Sequence, residues 1–155
     1  MAYKAFDLTG KVALVTGGNR GIGLGMARAM AEAGANIAIW GTNEARNAEA
    51  AAALSAETGV KTQAWQVNVA DEAGVEAAFN ETVDAFGRVD SVFANAGIGK
   101  LAGTFAHMDT QAYRDVLAGN LDGVFFTLRA AARHMIARAE GGAAGGTPVG
   151  DASPA

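Results

Sequence analysis

A glycine-rich turn that joins an apolar run to a helical pattern constrains this chain more than any other feature of its sequence. Residues 11–16 (KVALVT) have the length and side chains of a buried strand, and residues 16–23 (TGGNRGIG) follow at once. Glycines at such a junction allow a tight turn, let a pyrophosphate approach the backbone, and bring helix and sheet close together. The helix that starts near Gly21 points unpaired N–H groups and its positive dipole end at the turn. The turn therefore predicts a phosphate-binding loop, and the alternative is a structural turn without a ligand.

Strand and helix alternate along the rest of the chain. Strands are predicted at 11–16, 36–40, 61–69 and 89–94. Helices are predicted at 21–33, 43–58 and 71–86, and from Asp109 to about Ala139. Asn43 and Asp71 are expected to cap the second and third helices. Ile22, Met26 and Met30 recur at helical spacing in the first helix. The last helix carries an apolar stripe that is expected to face the core, formed by Tyr113, Val116, Leu117, Leu121, Val124, Phe125 and Leu128.

This alternation predicts an α/β fold with right-handed crossovers, in which a Rossmann-type doubly wound parallel sheet has helices on both faces. The domain is expected to occupy residues 1–140 and to be truncated after four clear strands. Residues 141–155 form a tail rich in Gly, Ala and Pro, where Pro148 and Pro154 argue against a central strand. The tail is predicted to be a flexible segment or a damaged fifth strand.

Composition and charge exclude several classes of protein. The 155 residues include no cysteine, which excludes disulfide scaffolds and thiolate metal sites, and His107 and His134 lack metal-ligand spacing and are expected at the surface. No apolar run approaches the ~20 residues of a membrane span, and residues 1–11 lack the apolar stretch of a signal peptide. The net charge of -4 argues against nucleic acid as the partner. We therefore expect a cytoplasmic protein that binds no metal, no membrane and no nucleic acid.

The landmarks of the chain resemble those of the short-chain dehydrogenase/reductase family. The family's T-G-x-x-x-G-x-G pattern is matched at Thr16, Gly17, Gly21 and Gly23. Residues 8–15 (LTGKVALV) look like its N-terminal lead-in, which predicts a complete N-terminus. Residues 94–97 (ANAG) are similar to its Asn-Asn-Ala-Gly, with Ala in place of the first Asn, and residues 120–125 (NLDGVF) resemble the segment of its helix asparagine. The match, over about residues 8–140, implies an oxidoreductase that transfers hydride between a nicotinamide cofactor and a ketone or secondary alcohol.

The end of the second strand bears on the choice of cofactor. NAD-selective sites of this kind place an acid there to bind the ribose hydroxyls, whereas this chain has Gly41 followed by Thr42. Glu44 lies nearby but suits the first turn of a helix. With no acid to repel a 2′-phosphate and Arg20 to pair with one, NADP is favoured over NAD, as the resemblance also implies. Gly41→Asp is expected to move the preference toward NAD.

The resemblance also implies cofactor contacts outside the glycine loop. Asn68 and Val69 match the positions where the family contacts adenine, although Asp is commoner than Asn there. Asn95 matches a residue that is structural near the cofactor more than catalytic. The predicted cofactor-binding residues are Gly17, Asn19, Arg20, Gly21, Ile22, Gly23, Gly41, Thr42, Asn68, Val69, Asn95, Ala96 and Gly97.

Catalysis in the family, as the resemblance implies, uses the Tyr of a Tyr-x-x-x-Lys motif as acid and base, and a Ser that orients the carbonyl. The sequence contains no Tyr-x-x-x-Lys, since Tyr113 is followed four residues later by Leu117 and Tyr3 lies before the first strand. The candidate catalytic residues are Asn120 and Ser153. Asn120 falls on the apolar stripe and is either a satisfied buried amide or, by resemblance, the ligand of a water in a proton relay. Ser153, two residues before the end, matches the family serine or is a serine of a disordered tail.

The favoured function is the cofactor-binding part of an NADP-dependent short-chain alcohol dehydrogenase or ketoreductase, with a small-molecule carbonyl or alcohol as substrate. The alternative is a nucleotide-binding or interaction module without chemistry, which is a natural truncation or one chain of a complementing pair. A Rossmann-type methyltransferase fits the glycine spacing less well. The expected protein partners are a second copy of the chain or a complementing C-terminal chain.

Overall fold

The computed structural model describes residues 6–99 and 104–141. Its strands are β1 (Val12–Thr16), β2 (Asn36–Gly41), β3 (Thr62–Gln66) and β4 (Ser91–Phe93), all parallel and in the order β3-β2-β1-β4. The α-helices of this part of the chain are α1 (Gly21–Glu32), α2 (Glu44–Thr58), α3 (Glu72–Phe86), α4 (Thr110–Leu117) and α5 (Gly123–Glu140). The predicted α/β fold with a doubly wound parallel sheet is confirmed. Most of the predicted tail, Ser153 included, lies outside the described residues.

Apolar side chains cover both faces of the sheet. Successive residues of a strand point to opposite faces, so Leu14 packs on the side of α3 and α5 while Val15 packs on the side of α1 and α2. Trp40 and Ile39 divide in the same way on β2, and all four side chains are fully buried. The prediction of helices on both faces is therefore confirmed.

The order of the strands determines where a ligand site can form. From β1 the chain moves outward to β2 and β3, and it then returns to place β4 on the other side of β1. The carboxyl ends of β1 and β4 therefore border a crevice at the point where the strand order reverses. Open α/β sheets bind their ligands at this point.

Helix α1 packs on the sheet through its smallest side chains. Its buried residues are Gly23, Ala27 and Ala31, which recur every four positions, whereas Ile22 is 77% exposed. These small residues allow a close approach of the helix to the sheet. Ile22 lies instead at the crevice described below.

The predicted long helix from Asp109 to Ala139 is two helices. A π-helical turn, Ala118–Asp122, joins α4 to α5 and shifts the faces of the two helices relative to one another. Helix α5 packs through Thr127, Ala130 and Ala131. Several large side chains of the predicted apolar stripe are consequently exposed, which corrects the expectation that they face the core: Tyr113, Leu121, Phe125 and Leu128.

Other elements depart from prediction by smaller amounts. Strand β3 was expected to reach Val69 and ends at Gln66, because its partner strand β2 ends at Gly41, which is paired with Gln66. The Asn43 side chain accepts the N–H of Arg46 as a cap of α2, but the Asp71 side chain makes no such bond to α3. Within residues 6–99 and 104–141, none of the helices has the length and hydropathy to traverse a lipid bilayer.

Candidate functional site

A cleft of about 740 Å³ lies at the carboxyl ends of the strands. It collects the turns that follow β1, β2, β3 and β4, together with the end of α4. Every residue predicted to bind a cofactor lines this cleft: Gly17, Asn19, Arg20, Gly21, Ile22, Gly23, Gly41, Thr42, Asn68, Val69, Asn95, Ala96 and Gly97. The crevice expected from the strand order is therefore the place where the sequence motifs meet.

The glycine loop leaves β1 in a conformation that requires glycine. Gly17 and Gly21 have φ of 65° and 53°, which side chains disfavour, and the Gly17 N–H donates to Trp40 O at 2.7 Å. A Cβ at Gly23 would collide with the carbonyl oxygen of Gly17 and lie 2.5 Å from Asn95 Nδ2. The loop thus folds back on the first turn of α1, whose N–H groups have no helical partner and border the cleft. Such a turn is suited to hold phosphate oxygens.

Thr16 and Asn95 fasten the turn after β4 to the glycine loop. The buried Thr16 hydroxyl donates to Phe93 O at 3.4 Å and accepts the N–H of Ala96 at 2.9 Å. Asn95 Nδ2 donates to Thr16 O at 3.1 Å. Two walls of the cleft, 79 residues apart in sequence, are therefore joined by side chains of the predicted motifs.

Asn120 lies in the π-helical turn and bonds to the turn after β4 through both ends of its amide. Its Oδ1 accepts the N–H of Ile98 at 2.8 Å, and its Nδ2 donates to Ile98 O at 2.9 Å. The side chain is exposed, so the expectation of a buried amide is wrong, although the amide is satisfied. Asn120 borders the cleft through its partner Ile98, which is a lining residue.

Two arginines line the cleft, and sequence reasoning identified only one of them. Arg20 precedes α1, and Arg46 lies in the first turn of α2 with its side chain exposed. Glu44 is exposed and is not a lining residue, and the acid that lines the cleft is Asp115 of α4. The side of the cleft formed by the turns after β1 and β2 therefore carries positive charge.

Asn47 is the second functional candidate that sequence reasoning missed. It is a buried polar residue of α2, on the face that also carries Ala50, Ala51 and Leu54. Its amide bonds to the end of β2 and to Asn19 of the glycine loop. A polar residue at the apolar spacing of a helix is the sequence signal that would have revealed it.

A different cluster joins α5 to the opposite end of β4. Asp90 accepts from Val12 N, Arg88 and Arg138, and Val89 N–H donates to His134 Nε2 at 3.2 Å. Burial opposes ionisation of Asp90, but the bonds from Arg88 and Val12 and the charges of both arginines outweigh it and lower its pKa. His134 is half-buried rather than at the surface as expected, and burial with the charge of Arg138 lowers its pKa. Among the described residues, no group of His, Asp and Glu side chains is placed to hold a metal ion.

The comparisons with known proteins agree with this geometry. The sequence model described as short chain dehydrogenase matches residues 11–144. The chain belongs to the short-chain dehydrogenase family. A short chain dehydrogenase/reductase of Aspergillus oryzae, astE, is 36% identical over 137 residues, which are 88% of this chain and 52% of the relative.

Two solved structures of oxidoreductases share the fold of this chain. An NAD+-bound xylitol dehydrogenase has a TM-score of 0.81 and 32% identity, over 85% of this chain and 50% of that chain. The NADPH-dependent 3-quinuclidinone reductase of Rhodotorula rubra has a TM-score of 0.79 and 32% identity, over 86% of this chain and 50% of that chain. The chain spans about half the length of the curated relatives it matches.

The catalytic residues predicted for a short-chain dehydrogenase are only partly within the described residues. Asn120 is described, and Ser153 lies beyond residue 141, outside them. Tyr113 is exposed on α4, and the residue one helical turn later is Leu117. The cleft therefore unites the cofactor-binding candidates, while the described residues contain no Tyr-x-x-x-Lys pair.

Proposed function

We propose that this chain contributes the dinucleotide-binding part of an oxidoreductase that transfers hydride between NADP(H) and a ketone or secondary alcohol of a small molecule. The observation that carries the proposal is the glycine loop, which packs Gly23 against the Gly17 carbonyl at the switch point of the sheet. Membership of the family supports hydride transfer as the reaction. The binding unit is proposed to be residues 1–140.

The residues of the cleft have distinct proposed tasks. The glycine loop and the first turn of α1 hold the pyrophosphate, and Asn68 and Val69 hold the adenine. Asn95, Ala96 and Gly97 form the wall against the remainder of the cofactor. When bound, the nicotinamide supplies or accepts the hydride.

NADP is the proposed cofactor because the adenosine side of the cleft carries cations and no acid. Arg20 and Arg46 both line the cleft, and Gly41 stands where NAD-selective sites have a carboxylate. Guanidinium groups form strong, charge-assisted hydrogen bonds with phosphates. The alternative is NAD, which is bound in the xylitol dehydrogenase named above.

Asn120 and Ser153 are the proposed catalytic contributions of this chain. Asn120 Nδ2 has two hydrogens, of which Ile98 O accepts one. The other is proposed to hold a water that passes protons to and from the reacting oxygen. Ser153 is proposed to orient the carbonyl of the substrate.

A second candidate is a nucleotide-binding module without chemistry. The cleft gathers every cofactor-binding candidate, and among the described residues it is accompanied by no Tyr-x-x-x-Lys pair. Such a module would bind the dinucleotide in the same cleft without catalysing hydride transfer.

Calorimetric titration of the 155-residue chain with NADP and with NAD tests the proposal. We expect both to bind and NADP to bind at least about tenfold more tightly, a difference of about 1.4 kcal/mol. Arg46→Ala should weaken NADP more than NAD, whereas Arg133→Ala, on the exposed surface of α5, should change neither affinity. Failure of both nucleotides to bind would contradict the dinucleotide site, and equal affinities would contradict the choice of NADP.

A further inference from the structure

A buried amide that belongs to no glycine motif closes the end of β2. Asn47, with 2% of its surface exposed, donates from Nδ2 to the backbone oxygens of Gly41 at 2.7 Å and of Trp65 at 2.9 Å. Because both acceptors are carbonyls, the orientation of the amide is determined, and its Oδ1 is left as an acceptor. Asn47 thus joins α2 to the ends of β2 and β3.

The Oδ1 atom of Asn47 accepts a hydrogen bond from a residue of the glycine loop. Asn19 Nδ2 donates to Asn47 Oδ1 at 2.5 Å, across 28 residues of sequence. Asn19 precedes Arg20, and Asn47 follows Arg46, so each partner of the bridge adjoins an arginine that lines the cleft. The Asn19–Asn47 bridge therefore sets the glycine loop and α2 at the separation at which both guanidinium groups border one cleft.

The bridge occupies the space that a side chain at position 41 would need. A Cβ built on Gly41 would lie 2.5 Å from Asn47 Oδ1 and 2.6 Å from Asn19 Nδ2. Both separations are shorter than a carbon atom tolerates, and Asn47 is held by two further bonds. The ribose-binding acid of NAD-selective sites cannot enter at position 41 while the bridge is in place.

We propose that Asn47 is a specificity-determining positioning residue. Its bridge to Asn19 takes the place of the ribose-binding carboxylate and holds the loop so that the adenosine side of the cleft accepts a 2′-phosphate. This inference rests on the proposed function, since it concerns the selectivity of the same cleft. It also changes the expectation for Gly41→Asp. As a single substitution, the Asp side chain would clash with the Asn19–Asn47 bridge and would not reach the ribose.

The test compares two fragments of the cofactor, adenosine 2′,5′-bisphosphate and 5′-AMP, which differ only in the 2′-phosphate. Their dissociation constants are measured by calorimetry on the 155-residue chain and its variants. We expect the wild type to prefer the bisphosphate, and Asn47→Ala to lower this preference at least about tenfold. The matched control is Leu54→Ala, a buried substitution on the same helix away from the cleft, which should lower the melting temperature and leave the preference unchanged.

Variants at position 41 give a second measurement. Gly41→Ala should reduce the preference as Asn47→Ala does, because its Cβ displaces the same bridge, whereas Gly25→Ala, with no atom within 4 Å of its Cβ, should not. Gly41→Asp alone should gain no affinity for 5′-AMP. The double variant Gly41→Asp/Asn47→Ala should gain it, because the carboxylate then has room to reach the ribose. The gain in affinity for 5′-AMP is the decisive readout, because residues in contact are non-additive in stability whatever their role, and relief of a clash alone would create no ribose contact.

The outcomes separate the two proposals. A wild type without preference for the bisphosphate overturns the choice of NADP and this inference together. A preference that persists in Asn47→Ala and Gly41→Ala overturns this inference alone, as does an equal loss in Leu54→Ala. If Asn47→Ala does not fold, the comparison of Gly41→Ala with Gly25→Ala decides the matter in the same way.

Discussion

Gly23 lies between two groups that leave no volume for a side chain, the carbonyl oxygen of Gly17 and the amide of Asn95. Gly23→Ala should therefore lower the stability of the fold by about 1–3 kcal/mol, as overpacking does, and should weaken dinucleotide binding at least about tenfold, because the loop must open. Thermal denaturation and calorimetry with NADP measure the two effects.

The control for this substitution is Gly25→Ala, two residues further along α1. A Cβ there meets no atom within 4 Å, so it should raise helix stability by up to ~1 kcal/mol and leave binding unchanged. Equal losses of binding in the two variants would refute the role assigned to the closed loop.

At the scale of single residues, the sequence predicts those parts of the site whose contacts are local in sequence. The conformation of the glycine loop is determined by eight consecutive residues, 16–23. Every residue predicted to bind the cofactor lines the cleft. Asn47 escapes prediction because its partners Gly41, Trp65 and Asn19 come together only when the sheet is assembled. Asn120 was expected to be buried, since the spacing of apolar residues around it does not reveal that the helix changes register there.

Helix α5 is attached to the start of β4 through a hydrogen bond that depends on a neutral imidazole. Val89 N–H donates to His134 Nε2, whose ring lies at 5.8 Å from the ring of Phe79 on α3. The charged groups that face it are Arg138 from its own helix, and Arg88 and Asp90 from the segment before β4. Protonation would remove the acceptor and add a cation beside two arginines.

The stability of the fold should therefore fall as the pH falls. The pKa of His134 is lowered from 6.5 in the folded state, so below pH 6.5 the unfolded chain takes up the proton first. We expect the melting temperature to drop below that pH, by about 2–4 °C for each kcal/mol lost, and His134→Gln to remove this step. A second loss is expected below pH 3.8, because the pKa of Asp90 is also lowered.

The melting temperatures of the wild type and of His134→Gln are followed by circular dichroism from about pH 8 to below pH 3.8, a range that covers both the histidine step and the loss expected at Asp90. His107→Gln serves as the control, since that residue is exposed and bonds only to the neighbouring Thr104. An identical pH profile for wild type and His134→Gln would contradict the assignment.

The ends of helices were predicted correctly where a local sequence signal ends the helix, and incorrectly where tertiary packing determines the end. Helices α2 and α3 stop at Gly59 and Gly87, whose φ of 75° and 77° only glycine adopts readily, and both ends were predicted. The π-helical turn between α4 and α5 has no such local signal, and the bond that Asn120 makes within it goes to Ile98, in a turn distant in sequence. The large apolar side chains were assigned to the core, whereas α1 and α5 pack through alanine and glycine.

At the scale of the whole 155-residue chain, the residues proposed to bind the cofactor gather in one cleft, whereas of the two proposed catalytic residues only Asn120 is described. The sequence contains no Tyr-x-x-x-Lys, and a positioned general acid is worth about 10²–10⁴-fold in rate. We expect the 155-residue chain to bind NADPH and to reduce ketones at no measurable enzymatic rate. The measurement is the loss of NADPH absorbance with a panel of ketones, with the protein verified by mass.

Addition of a separately expressed segment that carries Tyr-x-x-x-Lys, taken from the C-terminal half of a relative, should raise the rate if the two pieces assemble. The same addition to Gly23→Ala should not, because that variant lacks the closed loop. Ordinary turnover by the 155-residue chain alone would contradict the expectation.

The contact between Gly23 and the Gly17 carbonyl also bears on how such a chain can evolve. A residue that only served a ligand would be free to drift once the ligand was lost. Gly23 is constrained by its own loop and by Asn95 as well, so purifying selection for folding alone would retain it. A lineage that abandoned its chemistry would first accumulate changes at Arg20 and Arg46, whose exposed side chains border the cleft, while the glycines persisted.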